Sequence, residues 1–317
     1  MHNCINMKQM ISVLIATKNR DEDLAKCLNS ILKNKKTDFE ILVLDQSSNQ
    51  LSKLLCDDIN NKRVRYYHLQ NKGKSVALNV GIKKAKGNIF AFTDDDCIVP
   101  NNWLDTINKI FLENKKASMI FGKSLPYKGK KNSNLICPSI FTSDAKRVLV
   151  KPVYHASNVG FGNNMAIKKQ KKNYNLFFSN WLGPGTSAYA AEDADIILRF
   201  LINKKWIVYD PRMLVFHNRW LTPKENYQQL LKYLCGETAC YGYYYFLGYS
   251  FAKPIIKNNF QDSLYKFKYL IKKYCLLDKD NNEKIFVGTF FLELFFRTKG
   301  LIIGLINSLK FRIKLLF

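Results

Sequence analysis

The sequence NIFAFTDDD, residues 88–96, joins a short apolar run to three consecutive aspartates. The apolar part, Asn88 to Thr93, predicts a buried strand, and the carboxylates follow where that strand ends. Adjacent carboxylates repel one another unless another charge offsets them. Mn²⁺ or Mg²⁺ supplies that charge, because hard cations bind carboxylate oxygens and also the phosphates of a nucleotide. A helix cap or a solvated turn would explain an isolated acidic cluster, but the preceding strand favours a functional site.

Strand and helix patterns alternate on both sides of this stretch, from residue 11 to residue 121. Short apolar runs predict strands at 11–16, 40–44, 64–69 and 117–121, and apolar residues at helical spacing lie between them. This order predicts an α/β fold with a doubly wound, mostly parallel sheet. Ligands of such sheets bind beyond the carboxyl ends of the strands, so Asp45 and the aspartates at 94–96 are expected to converge.

The second half of the chain is predicted in coarser terms. Residues 122–156 have the composition of a loop, 159–167 predicts a strand, and two further strands are expected at 206–209 and 213–216. Beyond Pro223 the sequence is helical, aromatic and basic. The chain is therefore expected to consist of a domain over residues 1–222 and a helical extension over residues 223–317.

A second acidic group, Glu192-Asp193-Ala194-Asp195, opens a predicted helix. Acidic residues at a helix start can serve the helix dipole alone. Here a glycine-bearing segment, residues 182–186, comes shortly before them, which favours a mobile loop that delivers a general base for a hydroxyl proton. Asp195 is expected to point away from Asp193. His217 follows a predicted strand, and a histidine beside a metal-binding carboxylate set is a candidate third ligand.

These motifs together resemble glycosyltransferase family 2, whose members have the GT-A fold. The resemblance covers residues 10 to 220 in order. It rests on an opening strand and turn, a V-x-D-x-S-S segment, an N-x-G-x-x-x-A-x-N-x-G helix start, the triple aspartate, a G-x-G-N-x-A strand that lines the sugar pocket, and the loop with its E-D pair. In this chain they are Val13 to Arg20, Val43 to Ser48, Asn71 to Gly81, Asp94 to Asp96, Gly160 to Ala166, and Leu182 to Asp195.

The resemblance implies an inverting glycosyltransferase. Its donor would be a nucleotide-diphosphate sugar, a UDP-sugar in the first instance, and its acceptor a hydroxyl of a glycan or a lipid-linked acceptor, as in cell-surface polysaccharide assembly. It assigns Asp193 as the catalytic base, and Asp94, Asp96 and His217 as ligands of Mn²⁺ or Mg²⁺. The residues it assigns to the donor are Thr17, Arg20, Asp45, Gly73, Lys74, Asn79, Asp94, Asp95, Asn163, Asn164 and Glu192.

Two departures from the family pattern stand out. Many relatives have glycine before the E-D pair, and this chain has Ala191. Alanine disfavours a positive φ, so the loop geometry is expected to differ slightly. The chain also has no Q-x-x-R-W motif, since residues 217–220 read HNRW, and a processive synthase is not expected.

The charge balance bears on partners and location. The chain has 50 Lys and Arg against 25 Asp and Glu, a net charge of +25 that implies anionic partners. Near the end, apolar residues bordered by Lys and Arg suit either an interfacial helix on anionic lipid or a helical subdomain on the core. There is no secretory signal pattern, no uncharged apolar stretch of spanning length and no C-x-x-C pair. These features predict a cytoplasmic protein, peripheral at the inner face of the cell membrane.

Two other functional classes remain open. A basic nucleic-acid-binding protein would interleave cations with aromatics, whereas the aromatic run from Tyr241 to Tyr249 contains no Lys or Arg. No nucleic-acid partner is therefore expected. A nucleotidyltransferase would also bind a metal ion through aspartates, but it would more often carry a glycine-rich loop after the first strand. Residues 16–20, ATKNR, contain no glycine.

Overall fold

One nine-stranded sheet forms the centre of the molecule. The structure is a computed structural model that describes residues 9–35, 38–128, 134–152, 158–169, 176–274 and 282–315, with backbone alone for 266–274 and 282–288. The strands are β1 (Ile11–Thr17), β2 (Phe39–Asp45), β3 (Val64–His68), β4 (Ile89–Phe92), β5 (Cys97–Ile98), β6 (Ala117–Pro126), β7 (Arg147–Leu149), β8 (Met165–Lys168) and β9 (Trp206–His217). The helices are α1 (Asp21–Leu32), α2 (Leu51–Ile59), α3 (Lys74–Lys84), α4 (Trp103–Glu113), α5 (Glu192–Ile202), α6 (Pro223–Phe246), α7 (Ala252–Tyr274) and α8 (Asn282–Lys314).

The sheet has the order β3-β2-β1-β4-β8-β6-β9-β5, with β7 beside β9. Strands β1 to β4 pair in parallel, and so do β6 and β9, while β8 runs antiparallel between β4 and β6. The predicted α/β fold with a mostly parallel sheet is confirmed. Strand β1 has a strand on each side and a hydrophobic cluster on each face, which explains its unbroken apolar sequence.

Two predictions for the middle of the chain were wrong. Residues 122–126 continue β6, and β7 lies within the stretch assigned to loop. The two strands expected at 206–209 and 213–216 are one strand, β9, in which residues 210–213, with Pro211 among them, stand opposite Gly122 at a shift in register with β6. A bulge tolerates proline because its residues leave the ladder, so the turn signal marked an irregularity rather than a strand end.

The C-terminal helices pack on the sheet domain. Helix α6 begins at Pro223, where the predicted extension starts, and its Ala239, Tyr241 and Tyr244 are buried in one cluster with Leu182 and Leu198. Helix α8 in turn packs along α6. Among the described residues, no helix is long and apolar enough to cross a membrane.

The cysteines of the described residues are free thiols, and all but Cys137 are buried. Cys4 and Cys275 lie outside the described side chains.

Candidate active site

A cavity of about 690 Å³ lies at the carboxyl ends of β1 and β4. Its wall includes most of the residues that the sequence assigned to a site. They are Thr17, Arg20, Gly73, Lys74, Asp94, Asp95, Asp96, Asn163, Glu192, Asp193 and His217. The parallel strands bring these distant segments together, as expected for the edge where a doubly wound sheet binds its ligands.

The end of β1 holds two of the three aspartates. The Thr17 hydroxyl donates to Asp95 Oδ2 at 2.8 Å, and one Arg20 nitrogen donates to Asp95 Oδ1 at 3.0 Å and to Asp96 Oδ2 at 2.8 Å. Burial and the neighbouring Asp96 raise the pKa of Asp95 to about 6, against the charge of Arg20. Arg20 therefore allows two adjacent carboxylates to be buried together.

The other oxygen of Asp96 faces His217. His217 Nδ1 lies 2.7 Å from the carbonyl oxygen of Pro138, which can only accept, so Nδ1 carries a proton. His217 Nε2 lies 3.1 Å from Asp96 Oδ1. In the neutral imidazole both facing atoms are acceptors, so the pair requires a second ring proton or another cation. Burial lowers the pKa of His217, but Asp96 outweighs it and raises that pKa to about 10.

This pair fits a divalent cation. Asp96 Oδ1 is buried and makes no well-aligned hydrogen bond with the described residues, although His217 Nε2 is close. Burial opposes ionisation of Asp96, but the hydrogen bonds and charges of His217 and Arg20 hold its pKa well below the usual range. An ionised carboxylate and an imidazole nitrogen are both ligands that Mn²⁺ accepts. A cation here would take the place of the shared proton.

Asp94, which was also assigned as a metal ligand, is not part of this cluster. Among the described residues the third member is Cys97, whose thiol is kept protonated by burial and by the nearby aspartates, which raise its pKa. A buried thiol is a poor ligand for a hard cation, so Asp96 and His217 are the ligands that the geometry supports. Asp94 Oδ1 instead accepts from Lys74 Nζ at 2.5 Å.

Lys74 links the aspartates to the start of α5. Its Nζ also lies 3.5 Å from Glu192 Oε1. Burial would lower the pKa of Lys74, but Asp94 and Glu192 hold it above the usual range. Burial raises the pKa of Glu192 to about 7, with Asp193 adding to the rise and Lys74 opposing it. The partly buried ammonium of Lys74 therefore ties the carboxyl end of β4 to the segment that carries Asp193.

The carboxylate of Asp193 is held by two backbone groups. Oδ2 accepts from Gly162 N at 3.0 Å and Oδ1 accepts from Ala194 N at 2.8 Å. Gly162 begins a 3-10 turn, Gly162–Asn164. The sequence predicted a strand over 159–167, but the strand observed there is Met165–Lys168. The turn and α5 thus fix the carboxylate at the cavity wall, where it can accept a proton from a bound hydroxyl.

The loop before α5 is strained. Ala191 has φ +72° and Tyr189 has φ +67°. The expectation that alanine would avoid the left-handed conformation was therefore wrong, and each such residue costs about 1–2 kcal/mol. Packing offsets the cost: Gly183 N donates to Ala190 O at 3.0 Å, and α6 approaches so closely at Gly236 that a Cβ there would lie 2.8 Å from the Ala190 carbonyl.

Three residues assigned to the donor do not line the cavity. Asp45 is fully buried and accepts from Ser47 N and the Tyr66 hydroxyl. The Asn79 side chain bonds the backbone of Phe178, and the Asn164 amide donates to the carbonyls of Lys123 and Met213. Their hydrogen-bonding groups hold segments that carry other wall residues, so the structure gives them a supporting position behind the site.

Asp195, two residues beyond Asp193, belongs to a buried hydrogen-bond network. It is 1% exposed and accepts from the Ser179 hydroxyl at 2.8 Å, Arg199 Nε at 3.0 Å and the Tyr244 hydroxyl at 2.8 Å. Helical spacing correctly turns it away from Asp193, but it does not reveal this buried network. The network joins α5 to α6.

The sequence did not predict the side of the cavity that α6 forms. Helix α6 contributes Asn226, Gln229, Leu230, Tyr233, Glu237 and Tyr241, which recur at helical spacing on one face. Tyr189 and Arg219 also line the cavity. The sequence identified this segment only as helical, aromatic and basic, and did not show that one polar and aromatic face of it lies over the cavity. Aromatic rings with amide and carboxylate groups suit a ligand that has both apolar faces and hydroxyls.

Comparisons with known proteins agree with this geometry. Residues 12–162 match the sequence model described as Glycosyl transferase family 2. Glycosyltransferase GlyG of Streptococcus pneumoniae serotype 4 is 34% identical over 124 residues, which are 38% of this chain and 41% of GlyG. This chain spans less than half the length of the curated relatives it matches.

Two solved structures share the fold. S. aureus TarS 1-349 in complex with UDP has a TM-score of 0.55 at 16% identity, over 96% of this chain and 92% of that one. Mannosyltransferase PcManGT from Pyrobaculum calidifontis, in complex with GDP-Man and Mn²⁺, has a TM-score of 0.53 at 13% identity, over 95% and 87%. These likenesses confirm the GT-A fold, including its helical C-terminal part.

Proposed function

We propose that this chain, whose residues 12–162 match the model described as Glycosyl transferase family 2, transfers a sugar from a nucleotide-diphosphate donor to an acceptor hydroxyl with inversion. We take a UDP-sugar as the first donor to test, in part because TarS has been solved with UDP-GlcNAc. The acceptor is a glycan or a lipid-linked acceptor. One observation carries the proposal: the Asp96–His217 pair and the Asp193 carboxylate line the same cavity.

The donor side follows from charge. Lys18, Arg20, Lys72, Lys74 and Arg219 line the cavity together with the aspartates. A diphosphate adds negative charge that these cations can offset, and Asp96 with His217 would hold Mn²⁺ or Mg²⁺ beside it. The ion, when bound, neutralises charge that develops on the diphosphate leaving group. Arg20 and Lys74 hold the carboxylates in place.

The acceptor side follows from Asp193. Its two backbone donors orient the carboxylate, which takes the proton of the acceptor hydroxyl. The hydroxyl oxygen then forms a bond to the anomeric carbon while the bond from that carbon to the diphosphate oxygen breaks. The nucleoside diphosphate leaves, and attack from the opposite side inverts the configuration. Glu192 is assigned to positioning, through its contact with Lys74.

We place the enzyme at the cytoplasmic face of a membrane, in peripheral contact with anionic lipid. The support is the net charge of +25 and the basic, apolar C-terminal segment. A nucleic-acid partner is not part of the proposal.

The test is a panel of UDP-, GDP- and dTDP-sugars, incubated with the protein and Mn²⁺ and assayed for nucleoside diphosphate. Release from at least one donor, lost on chelation of the metal, is expected. A nucleotidyltransferase would instead release pyrophosphate from a nucleoside triphosphate and a sugar phosphate, and that result would replace the proposal. Asp105→Asn is the matched control for substitutions of aspartates in the cavity. Asp105 is an exposed acid in the first turn of α4, away from the cavity.

A further inference from the structure

Where α8 approaches α6 and α7 most closely, its side chains are small or polar, although Leu301 and Ile303 beside them also pack inward. Facing α6 and α7 are Arg297, Gly300, Gly304 and Ser308, at helical spacing. On the opposite side a second stripe is 45% to 60% exposed, which is the reverse of an ordinary amphipathic helix. The stripe consists of Phe291, Phe295, Ile302, Ile306, Leu309 and Ile313.

The inward face is fixed by close packing. A Cβ on Gly300 would lie 2.3 Å from Cys235 O, and one on Gly304 would lie 2.6 Å from Ala239 O, both on α6. Arg297 Nε donates to Ser263 Oγ of α7 at 2.9 Å. Larger side chains do not fit between these backbones, so α8 cannot turn its apolar stripe inward. The exposure of the stripe is therefore a built feature of the fold.

The size and charge of this surface indicate its partner. From Phe291 to Ile313 the stripe runs roughly 33 Å along the helix. A soluble surface normally exposes apolar residues singly, not in a continuous stripe of this length. Lys310 and Lys314 are exposed at its C-terminal end, and the last turn of α8 carries only basic charges. A second copy would bring the same basic end and another +25 charges, whereas an anionic lipid surface offers both apolar chains and opposite charge.

We propose that α8 lies in the plane of an anionic membrane, with the stripe from Phe291 to Ile313 in the boundary between headgroups and acyl chains. Helix α8 also contacts a residue of the cavity wall through Lys299 and Phe296, which lie beside the stripe. Lys299 Nζ donates to the hydroxyl of Tyr189 at 2.6 Å, the Phe296 ring lies 6.1 Å from the Tyr189 ring, and Tyr189 lines the cavity. Docking would hold the cavity beside the lipid surface. This selects a lipid-linked acceptor, a consequence that rests on the proposed function. The docking itself specifies which residues make the lipid contact proposed there.

The test uses the full chain and vesicles of phosphatidylcholine with or without phosphatidylglycerol, with bound protein measured by co-sedimentation. The variant carries Phe295→Ser, Ile302→Ser and Ile306→Ser. Its control carries Leu51→Ser, Leu54→Ser and Leu112→Ser, three leucines of α2 and α4 with comparable exposure of 48%, 54% and 46%. Because these side chains are exposed in the folded chain, both variants are expected to fold, which circular dichroism checks.

Wild type and control should bind the mixed vesicles. The stripe variant should lose about tenfold or more in binding, since insertion scales with buried apolar area. Lys310→Gln with Lys314→Gln should weaken binding only to vesicles with phosphatidylglycerol, and added salt should do the same. Equal binding of stripe variant and control would overturn the proposal. So would a concentration-dependent dimer that the stripe substitutions abolish, since the stripe would then bind a second copy. Nucleotide-sugar hydrolysis in solution should be unchanged in the stripe variant, so failure of docking and failure of the transferase proposal are separate results.

Discussion

Substitution of Asp193 by asparagine separates catalysis from the other effects of this carboxylate. An acid in the first turn of a helix stabilises the dipole by about 0.3–1 kcal/mol. The structure adds two hydrogen bonds, from Gly162 N at 3.0 Å and Ala194 N at 2.8 Å. The amide oxygen can keep one of them, while the NH₂ group would face the other donor. Leaving that donor unsatisfied costs about 1–3 kcal/mol of stability.

The loss of a general base is larger. It lowers the rate by about 10²–10⁴-fold, which is about 2.7–5.4 kcal/mol at 1.36 kcal/mol for each factor of ten. The assay is turnover at saturating donor and acceptor, with the folded fraction measured in parallel by denaturant unfolding. Asp193→Asn should lose at least about a hundredfold in kcat with donor affinity nearly unchanged, while Asp105→Asn keeps full activity. If folded Asp193→Asn retained most of its activity, Asp193 would not be the base, and the inverting mechanism would need another residue.

Further predictions concern the parts of the chain that support the site. Lys299→Met should raise the acceptor KM severalfold with a smaller change in kcat, because it frees Tyr189 at the cavity wall; an unchanged KM would count against a positioning role. Asp195→Ala should reduce the free energy of unfolding by about 3–5 kcal/mol, since it leaves Arg199 and Tyr244 without their buried partner; a loss below 1 kcal/mol, roughly that of a surface site, would refute this. Gly300→Ala should destabilise by about 1–3 kcal/mol, because the new methyl meets the α6 backbone, while exposed Thr298→Ala should be nearly neutral; equal unfolding midpoints would show that the α6–α8 contact is looser than described.

Two segments of the cavity wall, those at Thr17 and at Asp94–Asp96, could be predicted because each stands at the end of a buried strand. Parallel strands end at one edge, so Thr17 and Asp94–Asp96 meet whatever the intervening loops do. The same reasoning cannot tell a wall residue from one behind the wall. Asp45 and Asn79 belong to motifs of the same kind as the wall residues. Only the hydrogen bonds to Tyr66 and Phe178 show that their polar groups are used for support.

The wall that α6 contributes to the cavity could not be predicted from apolar periodicity. In α6 the side over the cavity is polar and aromatic, and the opposite side also contains aromatic residues, such as Tyr244. Which side meets the core depends on the close approach at Gly236, a tertiary contact. Helix α8 shows the same limit, since glycines normally weaken a helix, yet here they form the packed face. The cost of the positive φ at Ala191 is likewise visible only once the loop is folded.

The most direct test is a calorimetric titration of the protein with UDP, and then with GDP and dTDP, in the presence of Mn²⁺ and again with EDTA. If Asp96 and His217 hold the ion that binds the diphosphate, one nucleotide should bind with Mn²⁺ and lose about tenfold or more in affinity with EDTA, in Asp96→Asn and in His217→Ala, as loss of a ligand to a hard-cation site requires. The same affinity in all four measurements would contradict the metal-dependent nucleotide site on which the proposed transferase depends.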